Sequence, residues 1–91
     1  MSAEVKVASY LTQFTGGKEI IKVEGKSVRE CLQDLIKQFP DMEKILFDDK
    51  NILRAFFNIF ITGGDVAFSD KLDVPVKPGD ILTILYIIGG G

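Results

Sequence analysis

Histidine is absent from this 91-residue sequence, and with it go the commonest general base and the commonest metal ligand. Neither a zinc site nor a serine–histidine nucleophile is expected. There is one cysteine, Cys31, so the chain can close no internal disulfide and cannot supply the four thiolates of an iron–sulfur cluster. Cys31 falls on the apolar face of a predicted helix with no basic neighbour on that face, which is the setting of a packed thiol rather than a nucleophile. No apolar stretch approaches the roughly 20 residues of a membrane-spanning helix, and the longest, Ile81 to Ile88, is interrupted by Thr83. The opening Met1-Ser2-Ala3-Glu4-Val5-Lys6 lacks both the basic end and the apolar stretch of a signal peptide, so a cytoplasmic location with no membrane partner is expected. Positive charge is not in excess either. Lys and Arg interleave with Asp and Glu to a net charge of −2, leaving no basic stripe to neutralise a phosphate backbone and no expectation of nucleic acid as a partner.

What is present is a core. Hydrophobic residues make up 46% of the chain in short scattered runs, enough for one compact domain and too little chain for two. Val5 to Leu11 starts with the period-two alternation of a strand that has one wet face. Thr15-Gly16-Gly17-Lys18 is a turn signal, and Glu19 to Glu24 alternates again through Ile21 and Val23, which together predict a hairpin. The Gly-Gly pair is not a phosphate cradle, because no lysine followed by serine or threonine opens a helix after it. Ser27 and Glu30 have the spacing of a capping box, so a helix should begin there. Val28, Cys31, Leu32, Leu35, Ile36 and Phe39 recur at helical spacing, and Pro40 ends the run.

Asp41 to Phe47 suits a helical turn. Asp48-Asp49-Lys50-Asn51 lacks the ligand spacing and the glycine of a calcium loop and is expected to be a solvated loop. Ile52 to Thr62 is rich in aromatic and β-branched residues, Gly63-Gly64 is a tight-turn signal, and Val66 to Phe68 can return as a short strand. Pro78-Gly79-Asp80 is a further turn. Ile81 to Ile88 barely alternates and is predicted to be a strand buried on both faces. The order is thus strand, strand, helix, strand, short strand, strand. That is an α+β fold of the β-grasp type: a mixed sheet of four to five strands packed on one main helix, with the last strand central, beside the first and parallel to it.

At this point the sequence resembles a known family. From Thr15 to the end, about five-sixths of the chain, it is similar to the longer members of the MoaD/ThiS family of ubiquitin-like sulfur carriers, above all those of cysteine synthesis. The likeness is carried by Thr15-Gly16-Gly17, Phe56-Phe57-Asn58-Ile59-Phe60-Ile61, Asp65-Val66 with Phe68, Pro78-Gly79-Asp80, Thr83-Ile84-Leu85 and the terminal Gly90-Gly91. Two features depart from the family pattern: Tyr86-Ile87-Ile88 stands where members often carry proline before the tail, and Gly89 extends the diglycine to three.

The resemblance implies a β-grasp domain over residues 1–88 and a flexible glycine tail over residues 89–91. It also implies that the chain is not itself an enzyme and binds no cofactor. A partner of the ubiquitin-activating type, MoeB- or ThiF-like, would spend ATP to adenylate the carboxylate of Gly91. Sulfide or an enzyme persulfide would convert it to a thiocarboxylate, which would give sulfur to the large subunit of molybdopterin synthase or to a cysteine synthase-like enzyme. Gly89 and Gly90 would serve as a narrow lead without side chains, since glycine has no Cβ to clash in a partner's slot. Phe60, Phe68, Tyr86 and Ile88 would form an apolar docking surface on the sheet face away from the helix, unless they complete the core. The alternatives are a protein modifier joined to target lysines through the same glycine, and a plain β-grasp binding module whose tail does nothing.

Overall fold

The computed structural model describes residues 2–86. Its elements are β1 (Ser2–Lys6), a 3-10 helix (Ser9–Phe14), β2 (Ile20–Glu24), α1 (Val28–Gln38), α2 (Met42–Leu46), β3 (Phe57–Ile61), β4 (Val66–Phe68) and β5 (Ile81–Tyr86). The five strands form one mixed sheet in the order β2-β1-β5-β3-β4. β5 lies at its centre, parallel to β1 and antiparallel to β3. This is the expected β-grasp: the sheet wraps one main helix, and the core fills the space between them.

Alternation along the strands builds that core. Ala3 and Val5 of β1, Ile21 and Val23 of β2, Phe57, Ile59 and Ile61 of β3, Ala67 of β4, and Leu82 and Ile84 of β5 all turn to one side and are buried. They meet Val28, Cys31, Leu32 and Leu35 of α1, with Met42 and Leu46 of α2 closing one end. Burying each of the larger side chains is worth about 1.5–3 kcal/mol. Residues 89–91, expected as the tail, lie outside the described residues.

Three local expectations change. The first strand does not reach Leu11. It stops at Lys6, and a 3-10 helix precedes the Gly16-Gly17 turn. There Thr12 Oγ1 donates to Ser9 C=O at 2.7 Å and Leu11 N–H to Ala8 C=O at 2.9 Å, so local bonds replace strand pairing. Ile52 to Thr62 yields a strand only over Phe57–Ile61; ahead of it, Leu53 forms an isolated bridge to Phe47 and the Arg54 N–H bonds to Leu46. Finally, β5 is buried on one face only. Leu82 and Ile84 are in the core, whereas Ile81 and Leu85 are exposed on the opposite side. Nothing among the described residues covers that side, so the apolar run does not report two buried faces.

The α1 cap also differs in detail. Ser27 Oγ accepts from the Glu30 N–H at 3.2 Å as a capping box requires, but the Glu30 carboxylate takes the N–H of Lys26 at 2.8 Å, one residue earlier. The segment after β4 satisfies two more donors of the first turn, Val28 to Val74 C=O and Arg29 to Leu72 C=O. At the other flank, α1 shields the free edge of β2: Asp34 accepts the Glu24 N–H at 3.0 Å and Gln38 donates to Lys22 C=O at 2.8 Å.

Two turns place the sheet's central seam. Gly79, at φ 87°, lets Lys77-Pro78-Gly79-Asp80 close as a type II turn, with the Asp80 N–H 3.0 Å from Lys77 C=O. Its Gly79 N–H then bonds Ser2 C=O, and the Glu4 N–H bonds Asp80 C=O, which sets β5 in register against β1. Gly25 acts differently, by bringing β2 against the start of α1. A Cβ there would stand 2.7 Å from the Cys31 nitrogen and 2.9 Å from the Glu30 carbonyl carbon. Because those neighbours are backbone, Gly25→Ala is expected to lower the unfolding free energy by about 1–3 kcal/mol in a denaturant titration. An unchanged midpoint would contradict this close packing.

Candidate functional site

The open face of the sheet is divided by charge. Over β1 and β2 it shows Glu4, Lys6, Lys22 and Glu24, with Ile20 among them. Over β5, β3 and β4 it is mainly apolar, interrupted by Thr83 and Asn58. Phe60 stands opposite Thr83 on one side and Val66 on the other, and Asn58 likewise separates Leu85 from Phe68. Phe60 is 37% exposed and Phe68 40%, so neither completes the core. Lys71 places its ammonium 5.5 Å from the Phe68 ring centre and borders the patch. Ile81 and Leu85, which sequence reasoning left out, belong to the same face. Their signal was the alternation with Leu82 and Ile84, hidden because both faces of β5 carry apolar residues.

Tyr86 does not join Phe60 and Phe68. It pairs with Phe57, a core residue, so it lies on the helix side of the sheet where β5 runs past the core. Its ring packs 5.0 Å from Phe56, 5.8 Å from Phe57 and edge-on at 6.1 Å from Tyr10. Of the four residues expected on one surface, the three described ones divide between opposite faces: the physical reason is the two-residue strand period, which keeps Tyr86 with Leu82 and Ile84. Ile88, Gly89, Gly90 and Gly91 lie outside the described residues.

Beside Tyr86 opens a groove of about 420 Å³ between Tyr10, Phe14, Ile45 and Phe56. Lys44 and Arg54 flank it. Burial is the main cause that raises the Tyr10 hydroxyl above its ordinary range, with the neighbouring Tyr86 adding to it. Tyr10 is not among the candidate residues, since one aromatic in a 3-10 helix carries no periodic signal, and Phe56 is read only as part of the aromatic-rich stretch before β3.

Among the described residues no group of three or more His, Cys, Asp or Glu side chains is placed to hold a metal ion. Asp48 uses its carboxylate internally, accepting the N–H groups of Lys50 at 2.9 Å and Ile52 at 3.0 Å in the loop predicted to be merely solvated. Those bonds, Ile52's first, hold its carboxyl below the usual range. Cys31 is fully buried, and burial, assisted by Asp34, Glu30 and Glu24, pushes its thiol up to about 11.

With this geometry in place, the comparisons with known proteins are specific. Residues 5–91 match the sequence profile of the ThiS family. The chain belongs to the ThiS family. Along the whole of both chains it is 29% identical to the sulfur carrier protein CysO of Mycobacterium tuberculosis. CysO of Amycolatopsis orientalis, solved in a complex with BexX, superposes with a TM-score of 0.82 at 26% identity, over 98% of this chain and 99% of that one. The small archaeal modifier protein 1 of Methanosarcina acetivorans superposes at 0.76 with 25% identity, over 99% of this chain and 96% of that one.

For this ThiS-family chain the buried thiol gives a pH test. The folded state holds the Cys31 proton to about 11, whereas the unfolded chain releases it near 9, so unfolding becomes easier as pH rises through that interval. Stability measured by denaturant titration should be insensitive to Cys31 below pH 9 and fall between 9 and 11. The fall should be smaller in Cys31→Ala, once that variant's lower baseline stability is taken into account, with Tyr10 leaving a residual fall at the alkaline end. Rapid alkylation of native Cys31 at neutral pH would contradict its burial.

Proposed function

We propose that this chain is a sulfur carrier acting through the carboxylate of Gly91, and that the enzymes it visits supply all the catalysis. The observation that carries the proposal is the end-to-end likeness to CysO, joined to a domain body in which no reaction centre is assembled among the described residues. The chain's own part is to present a carboxylate on Gly89, Gly90 and Gly91, which follow Tyr86 in the sequence after Ile87 and Ile88.

A carboxylate is a poor acyl donor, so the first step is activation. The Gly91 carboxylate attacks the α-phosphorus of ATP on a MoeB- or ThiF-like enzyme, pyrophosphate leaves, and an acyl-adenylate remains. Sulfide attacks the acyl carbon and AMP leaves, giving the thiocarboxylate. Its sulfur is then the nucleophile toward an acceptor on a second enzyme. Likeness to CysO favours a cysteine synthase-like acceptor over molybdopterin synthase. The open apolar face built on Phe60, Phe68, Leu85 and Ile81 is the docking surface for these enzymes, because exposed apolar residues adjoining on three strands have no internal role.

A second route shares the first step. The resemblance to small archaeal modifier protein 1 supports transfer of the adenylated glycine to a lysine of another protein. The two routes part at the product.

Incubation of the full chain with ATP, sulfide and the activating enzyme of its own host is expected to place one oxygen-to-sulfur exchange at Gly91, read by mass spectrometry, and a chain lacking Gly90 and Gly91 to gain nothing. Phe60→Ser and Phe68→Ser should keep unfolding free energies within about 1 kcal/mol of the parent while slowing the exchange several-fold. Isopeptide-linked products in place of the thiocarboxylate would favour the modifier. No change at Gly91 under any of these conditions would end both routes and leave the plain binding module.

A further inference from the structure

The groove beside Tyr86 is not part of the open apolar face, and its charge differs from that of the chain as a whole. Net charge is −2, yet among the described residues the ionised side chains that line the groove are Lys44 and Arg54, which also border a neighbouring cavity together with Glu43, Asp48 and Asp49. Arg54 is oriented by its own backbone neighbourhood: Nε and Nη2 donate to Lys44 C=O at 3.3 and 3.1 Å. Neither Lys44 nor Arg54 is in an ion pair among the described residues, although Asp48 lies near enough to feel the charge of Arg54. Between the two cations and Tyr86 the walls are apolar, with Ile45 half-buried and Phe56 exposed.

Position adds to charge. Tyr86 forms one wall, and Gly91 follows it by five residues, a contour of at most about 18 Å. Any protein that holds Gly91 in its active site therefore lies within reach of this groove. Adenylation is common to the carrier and the modifier routes, so the activating enzyme is the partner that must approach in either case. We propose that the groove docks an acidic segment of the activating enzyme, with an apolar side chain seated between Phe56 and Tyr86 and carboxylates facing Lys44 and Arg54. This rests on the carrier function proposed above and adds to it a second contact on the face opposite Phe60 and Phe68. A contact of this kind steers the encounter more than it strengthens the chemical step, since charges at the edge of an interface act mainly on association and its salt dependence.

The test is steady-state adenylation of the full chain by its host's activating enzyme, followed as pyrophosphate release. Lys44→Glu replaces an exposed residue, so folding should be retained. The expected result is a KM for the carrier raised about tenfold with kcat unchanged, and a KM that climbs less steeply with salt than the parent's. Lys77→Glu alters net charge equally at the other end of β5 and should leave KM within twofold. Tyr10→Ala, which removes one wall without altering charge, should raise KM while preserving the salt slope.

A Lys44→Glu chain charged with the parent's KM and salt dependence would overturn the proposal while leaving the carrier function standing. A lower KM for Lys44→Glu would also overturn it, and would mark the groove as a resting place for the chain's own terminal carboxylate. Sedimentation showing that the groove variants convert a dimer to a monomer would assign it to a second copy instead. A parent chain that is not adenylated at all would remove the carrier function and this contact together.

Discussion

The parallel pairing of β5 with β1, Glu4 beside Ile81 and Lys6 beside Thr83, joins the last strand to the first and makes β5 the sheet's central strand. The strands on both sides then depend on it. β2 reaches the sheet only through β1, and β4 only through β3. The Leu82 and Ile84 side chains of β5 are fully buried beneath α1, while Tyr86 ends the described strand within an aromatic cluster. A strand held by neighbours on both edges and by core contacts on one face gives firm anchorage to whatever follows it. The carrier role proposed above would place that mechanical demand on the strand.

This arrangement leaves exposed apolar residues on both faces of the sheet. On the helix side, side chains of alternate parity are consumed by the core except at the end of β5, where Tyr86 emerges beside Tyr10 and Phe56. On the open side, the same alternation exposes Ile81 and Leu85 next to Phe60 and Phe68. The apolar content of β5 is thus divided, half buried in the core and half exposed on the open face. Cys31, the single thiol of the chain, is buried in the core beneath the sheet.

Most of the fold was legible in the sequence, for identifiable reasons. The α1 stripe and Pro40 announce a helix and its end, and the glycine turns at 16–17, 63–64 and 79 all carry the positive φ that makes glycine informative. The apolarity of β5 points to its central position, but it records one buried face and one exposed apolar face rather than the two buried faces that continuous apolarity suggests. The 3-10 helix at Ser9–Phe14 was hidden because the alternation of Val5 and Val7 offers no signal of where pairing stops, and local Ser and Thr bonds decide it. For the candidate site, Phe60 and Phe68 were recoverable from resemblance, but the separation of Tyr86 from them depends on strand parity at the end of β5. The groove with Lys44 and Arg54 depends on tertiary contact between segments far apart in sequence, which no single-sequence pattern encodes.

If the chemistry of this chain resides at Gly91, as proposed, the chain in its own host carries the most direct record of it. Intact-mass measurement of native protein purified without alkaline or nucleophilic treatment, followed by fragmentation of its C-terminal peptide, should find a population carrying sulfur in place of one oxygen at Gly91. Native protein isolated under active sulfur metabolism that carries only the free carboxylate, and from which no acyl-adenylate can be trapped, would contradict a carrier role and leave the open apolar face as the binding surface of a plain interaction domain.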